Sequence, residues 1–164
     1  MHHPLTDARR ELVLDLLTPL VGSRPAILRQ DHLGHPWAAV TRLELDVVVP
    51  FMGSCVVVKT WRVDGDGYGG PAFLLREEGG ARIAAAAGVG PAVVAVNQQA
   101  GVLVLECLEG PTVESVRLGD DPDAAMAAMV QLGGAVGRLH GATFTVVDAA
   151  QRRRPWAGWS VGTW

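Results

Sequence analysis

Lys59 stands at the end of an apolar run, Cys55-Val56-Val57-Val58-Lys59. An ammonium buried in such a run is costly unless a negative group meets it. Two carboxylates, Glu77 and Glu78, follow on a segment that opens with Pro71. A strand lysine held by a carboxylate on the next helix can orient the phosphates of a nucleotide. The competing reading is a solvent-facing lysine on a two-faced strand, and spacing alone favours neither.

A glycine cluster lies between the lysine and the carboxylates. Gly65, Gly67 and Gly70 match G-x-G-x-x-G after an expected strand and before an expected helix, the context of a dinucleotide fingerprint. Asp64 and Asp66 oppose that reading, because they set negative charge beside the pyrophosphate. Asn97 also stands near the place where a ribose-binding acid is wanted. A calcium loop is excluded: Asp64 and Asp66 begin one, but Tyr68 and Leu75 occupy its fifth and twelfth places. No Gly-Lys-Ser/Thr triplet supplies a Walker loop. A plain strand-to-helix connection is the simplest account of the cluster, and a dinucleotide-binding fragment is the weaker alternative.

The elements that must position these residues follow from pattern. Residues 6–20 read as a helix capped by Thr6 or Asp7, with Leu12, Val13, Leu16, Leu17 and Leu20 on one stripe. Residues 22–36 are turn-rich and read as loop. Residues 38–50 are rich in β-branched side chains, with alternation in "AVTRLELDV", and 54–63 form a second extended run. Pro71 suits a first helical position, so 72–87 reads as a helix stopped by Gly88. Gly79 and Gly80 weaken it by roughly 1 kcal/mol each relative to alanine. Two apolar runs around "NQQAG" give a β-hairpin, which argues against a second parallel strand after a crossover. After a polar connection over 110–119, Pro122 and Asp123 open an amphipathic helix that runs to His140. Its apolar face carries Ala125, Met126, Met129, Val130, Leu132, Val136 and Leu139. No internal repeat is visible.

Bulk properties narrow the classes. The 164 residues suit one domain, and 49% hydrophobic content is enough for a core. A net charge of -3 with mixed signs points to neither nucleic acid nor a membrane surface as partner. No apolar run reaches the ~18 residues of a membrane span. Asp7, Arg9, Arg10, Glu11 and Asp15 break the pattern of a signal peptide. Cys55 and Cys107, both in apolar runs, read as reduced core thiols of a cytoplasmic protein. The tail "QRRRPWAGWSVGTW" packs three arginines and three tryptophans without period. It suits a basic tail or an out-of-frame reading of GC-rich DNA.

Four segments in order, "VVVKTW", "FLLREEGGARIAAAAGVGPAVVAV", "AGVLVLECLEGPTV" and "LGGAVGRLHGAT", resemble the N-terminal half of the aminoglycoside phosphotransferase and choline-kinase-like family. The resemblance spans residues 38–144. It implies an α+β fold, an antiparallel-sheet kinase-like N-lobe with a C-helix, followed by the first helix of a truncated C-lobe. The expected divisions are 1–37 (helix and loop), 38–110 (the lobe), 111–144 (connection and first C-lobe helix) and 145–164 (irregular tail). By resemblance, Lys59 contacts the α- and β-phosphates of ATP, and Glu77 is its helix partner in preference to Glu78. Val58 lines the roof over the base, and Leu105 stands at the gatekeeper place. Glu106 and Leu108 offer a backbone carbonyl and an N–H to adenine. Pro91 precedes the hairpin, and His140 has a packing or capping role.

The departures from that family are chemical. Its His-Gly-Asp segment, the following asparagine and a later aspartate supply the acid near the acceptor hydroxyl and the magnesium ligands. Here His140-Gly141 is followed by Ala142, no asparagine follows, and Asp148 is too close to serve as the later ligand. The stretch taken as the nucleotide loop, "LELDVVVPFMGS", carries bulky Phe51 and Met52 where small polar residues are usual. The expectation is therefore a nucleotide-binding lobe without phosphotransfer. ATP is retained weakly or lost, and magnesium and a small-molecule acceptor belong to a full-length parent. A non-enzymatic nucleotide- or partner-binding module is the alternative. A lobe alone also leaves apolar surface uncovered.

Overall fold

Polar and apolar residues alternate along Ala39–Val49, with Thr41, Leu43 and Leu45 buried and Arg42, Glu44 and Asp46 not. One face of this strand therefore enters a core and the other does not, and the fold is built around that asymmetry. The computed structural model describes residues 5–33, 39–61 and 71–146. In chain order the elements are α1 (Asp7–Val21), β1 (Ile27–His32), β2 (Ala39–Val49), β3 (Gly53–Thr60), α2 (Pro71–Ala86), β4 (Val93–Asn97), β5 (Val102–Glu106), α3 (Val113–Arg117) and α4 (Pro122–Val146). The strands form one five-stranded sheet in the order β1-β2-β3-β5-β4, and every neighbouring pair is antiparallel.

α1 starts where Thr6 accepts a hydrogen bond from the Arg9 N–H, and it stops at Gly22, whose φ of 79° sets a left-handed cap. Its buried residues are Val13, Leu14 and Leu17, and Val13 and Leu17 pack with Leu43, Val56, Val58, Val102 and Val104 of the sheet. Leu14 replaces the expected Leu20, which is 43% exposed. α1 thus shares this core with the strands.

β1 lies in the stretch expected to be loop. Its sequence, ILRQDH, has no apolar alternation, because it is an edge strand held by backbone pairing with β2. Asp46 secures its start: the carboxylate accepts from the Ala26 N–H, and the Asp46 N–H donates to the Ala26 carbonyl.

α2 covers part of the opposite sheet face, with Leu74 buried against Trp61, Leu103 and Leu105. Gly88 ends the turn after it at φ 65°. A Cβ on Gly90 would approach the Ala84 Cβ to 2.7 Å, so the tight return to β4 requires glycine there. The expected connection over 110–119 contains the short helix α3. Asp121 accepts from the Asp123 and Ala124 N–H groups and opens α4. α4 packs on α3 and touches α2, but its apolar face stays open: Met126, Met129, Val130, Leu132 and Val136 are all exposed. No helix among the described residues is long and apolar enough to cross a membrane. All strand pairings being antiparallel, the described residues contain no parallel βαβ unit, and the dinucleotide alternative loses its fold. Its glycines, Gly65, Gly67 and Gly70, lie outside the described residues, as does the tail from 147.

Gly79 and Gly80 sit inside α2 with nothing within 4 Å of a built Cβ. Alanine therefore fits at both. The Gly79→Ala/Gly80→Ala variant is expected to gain about 1–2 kcal/mol of stability. Denaturant unfolding checks this, and a loss of stability would contradict the helical assignment of this segment.

Candidate functional site

β3 passes through the middle of the sheet and presents two faces. Val56, Val58 and Thr60 point into the α1 core; Cys55, Val57, Lys59 and Trp61 point to the side that α2 partly covers. Glu77 follows Leu74 by three residues, so the anchor that seats α2 also brings Glu77 toward the sheet. The Lys59 Nζ donates to the Glu77 Oε2 at 3.0 Å. The side chains are 31% and 34% exposed. At that exposure the pair contributes on the order of 1 kcal/mol or less, so its chief effect is positional. Lys59 is the chain's only lysine.

Glu78 is engaged elsewhere, which separates the two candidate partners. It accepts from the Arg82 Nε at 2.9 Å and the Gln98 Nε2 at 3.0 Å, tying α2 to the β4–β5 turn. The Gln98 hydrogen bond, helped by Arg82, holds its carboxyl below the usual carboxylate range despite partial burial.

The other expected residues divide. Leu105 is 5% exposed and pairs with Val57 across the strands, on the same face as Lys59. Val58 does not belong to this site: it is fully buried against α1, because one residue's offset on a strand reverses the side chain. Val57 takes its place beside Leu105. Glu106 anchors the end of β5, its carboxylate accepting from the Ala92 N–H and its own N–H donating to the Ala92 carbonyl. Leu108 is 60% exposed just beyond the strand. His140 is exposed within the body of α4, which continues to Val146, so it caps nothing.

"LELDVVVPFMGS" is also relocated. It forms the end of β2 and the turn into β3, with Phe51 at φ 67° and fully exposed. Gly53 is six residues from Lys59, about 20 Å along an extended strand. A phosphate at Lys59 is out of that turn's reach. The end of β2 that does lie beside Lys59 is Val40, and the connection preceding it, 34–38, is outside the described residues.

Arg42 is the residue sequence reasoning missed. Its Nε donates to the Cys55 Sγ at 3.0 Å, and its Nη2 lies 3.7 Å from the Glu109 Oε1. The signal was present in "AVTRLELDV", where arginine and two acids alternate with buried apolar residues and mark a face left partly open. Among the described residues, no group of three or more His, Cys, Asp and Glu is placed to hold a metal ion. Two surface grooves, about 500 Å³ beside α1 and β1 and about 410 Å³ beside α3 and α4, are lined by neither Lys59 nor Glu77.

The depressed Glu78 pKa contributes stability that is present above its unfolded value, about 4.3, and is lost as pH falls through the folded value. Glu78→Gln is expected to flatten this acid limb, whereas Lys59→Met shifts stability at pH 7 by less than about 1 kcal/mol. Unfolding measured as a function of pH checks both, and an unchanged acid limb in Glu78→Gln would contradict the assignment. Comparison of the chain with family models, with curated proteins and with solved structures finds no match.

Proposed function

We propose that this chain is the nucleotide-binding lobe of an ATP-dependent small-molecule phosphotransferase, similar to the aminoglycoside phosphotransferase and choline-kinase-like family. Lys59 receives the phosphates, and Glu77 holds its ammonium. The observation that carries the reading is the 3.0 Å pair between the third strand and the helix that follows it. In protein kinases a lysine on the third strand pairs with a glutamate on the next helix in this way and contacts the α/β-phosphates. The antiparallel order β1-β2-β3-β5-β4, with α2 between β3 and β4, supports it. Val57 and Leu105 then present the apolar surface a base requires, and the segment from Glu106 to Leu108 borders it.

Phosphoryl transfer also requires metal neutralisation of charge and a group at the acceptor hydroxyl. This sequence has alanine at 142 where the acid is wanted and no following asparagine. The lobe therefore binds ATP weakly and transfers no phosphate; the acceptor and the magnesium ligands belong to a full-length parent. A second reading, a non-enzymatic partner-binding module, is favoured by one observation, the open apolar face of α4.

Calorimetric titration of the chain with ATP and, separately, with a dinucleotide tests the proposal. ATP is expected to bind and the dinucleotide not to bind. Lys59→Ala is expected to weaken ATP at least about tenfold, the loss of a charge-assisted phosphate contact. ATP affinity unchanged in Lys59→Ala would contradict it, and no ATP binding by the wild type would leave the module reading in its place.

A further inference from the structure

The same sheet face carries a second chemical feature, the two cysteines, which the sequence presents as separate core thiols. Val56 pairs with Glu106 across β3 and β5, and one step further along this register sets Cys55 opposite Cys107. Both belong to the face of Lys59, because they are an even number of residues from Lys59 and Leu105 respectively. Antiparallel partners stand about 4.5–5.5 Å apart at Cα, within the span a disulfide bridges. The Arg42 Nε donates to the Cys55 Sγ at 3.0 Å, and Cys107 lies within electrostatic reach of both groups. Cys55 is 8% exposed, whereas Cys107 is half-buried.

We propose that Cys55 and Cys107 form a dithiol exchange site that closes to an intramolecular disulfide by reaction with a low-molecular-weight disulfide of the glutathione type. Cys107, the more accessible, attacks first as thiolate. The S–S bond of the small disulfide breaks, one thiolate leaves and takes up a proton, and Cys107 carries the mixed disulfide. The Cys55 thiolate then attacks the Cys107 sulfur, forming the Cys55–Cys107 bond and expelling the second small thiolate. Two protein thiols are oxidised and one small disulfide is reduced to two thiols. Arg42, a cation held against the Cys55 sulfur, favours the negative charge that forms there in the second step. Burial pushes the Cys55 thiol up to about 11, which suits the second, intramolecular step rather than the first. Closure pins the exit of β5 to β3, next to Leu108 and the connection toward α3. The site is independent of the nucleotide reading, since a lobe that binds no ATP can still close.

The chain has no other cysteine, so intact mass and thiol alkylation report on this pair alone. Wild-type chain incubated with oxidised glutathione is expected to lose two hydrogens, stay monomeric, and resist alkylation after unfolding until a reductant is added. Cys55→Ser is expected to stop at one glutathionyl adduct on Cys107. Cys107→Ser is expected to react at least about tenfold more slowly, and Arg42→Gln to slow closure about tenfold. The wild-type measurement stands without any variant folding. A wild type that stops at the mixed disulfide, dimerises through a disulfide, or keeps two alkylatable thiols would overturn the proposal.

Discussion

An ammonium and a carboxylate 3.0 Å apart tie the central strand of the sheet to the helix that crosses it. As an energy this tie is small, because both ends are partly solvated. As a constraint it is informative. It requires β3 to turn Lys59 away from the α1 core and α2 to lie over the same face. It also requires the residues around the pair to be apolar enough to seat the helix yet open enough to admit water. Trp61, Leu74, Leu103 and Leu105 meet the first demand at one end of the face. Further along the face Arg42 and Glu44 are only partly buried, and the sulfur chemistry proposed above lies beside them.

The sheet is therefore a partition between two environments. On the α1 side, Leu43, Val56, Val58, Val102 and Val104 are fully buried, and a lysine there would carry the full desolvation cost. On the α2 side the same strands carry Arg42, Glu44, Lys59 and the two cysteines. A one-residue shift in the register of β3 would exchange these sets, burying Lys59 and exposing Val58. The hydrophobic demand of α1 thus fixes which side the ammonium occupies, although α1 and Glu77 pack on opposite faces of the sheet.

Much of this was legible from residue pattern. Glu77 as the partner of Lys59 comes from the family resemblance and not from spacing, whereas the caps at Thr6 and Gly88, Pro71 at the head of α2 and the hairpin around Asn97–Gly101 all leave local signals. Three features did not. β1 is an edge strand whose stability comes from backbone bonds to β2, so ILRQDH shows no period. Without β1, the expected nucleotide loop falls on the β2–β3 turn, at the end of β3 away from Lys59. The resemblance places Val58 over the base, but strand parity turns the chemically identical Val57 to that face instead. The placement of Cys55 opposite Cys107, far apart in sequence, follows only from extending the β3–β5 register by one step. α4 illustrates the reverse case: its apolar stripe is plain in the sequence, yet among the described residues no element buries it.

The central claim is that Lys59, held by Glu77, meets the phosphates of ATP. An acyl-phosphate derivative of ATP transfers its acyl group to an amine lying beside the bound phosphates, and this chain offers one lysine. The account predicts acylation at Lys59, suppressed by excess ATP and reduced in Glu77→Gln. Acylation confined to the N-terminal amine, or labelling of Lys59 that excess ATP leaves unchanged, would contradict it.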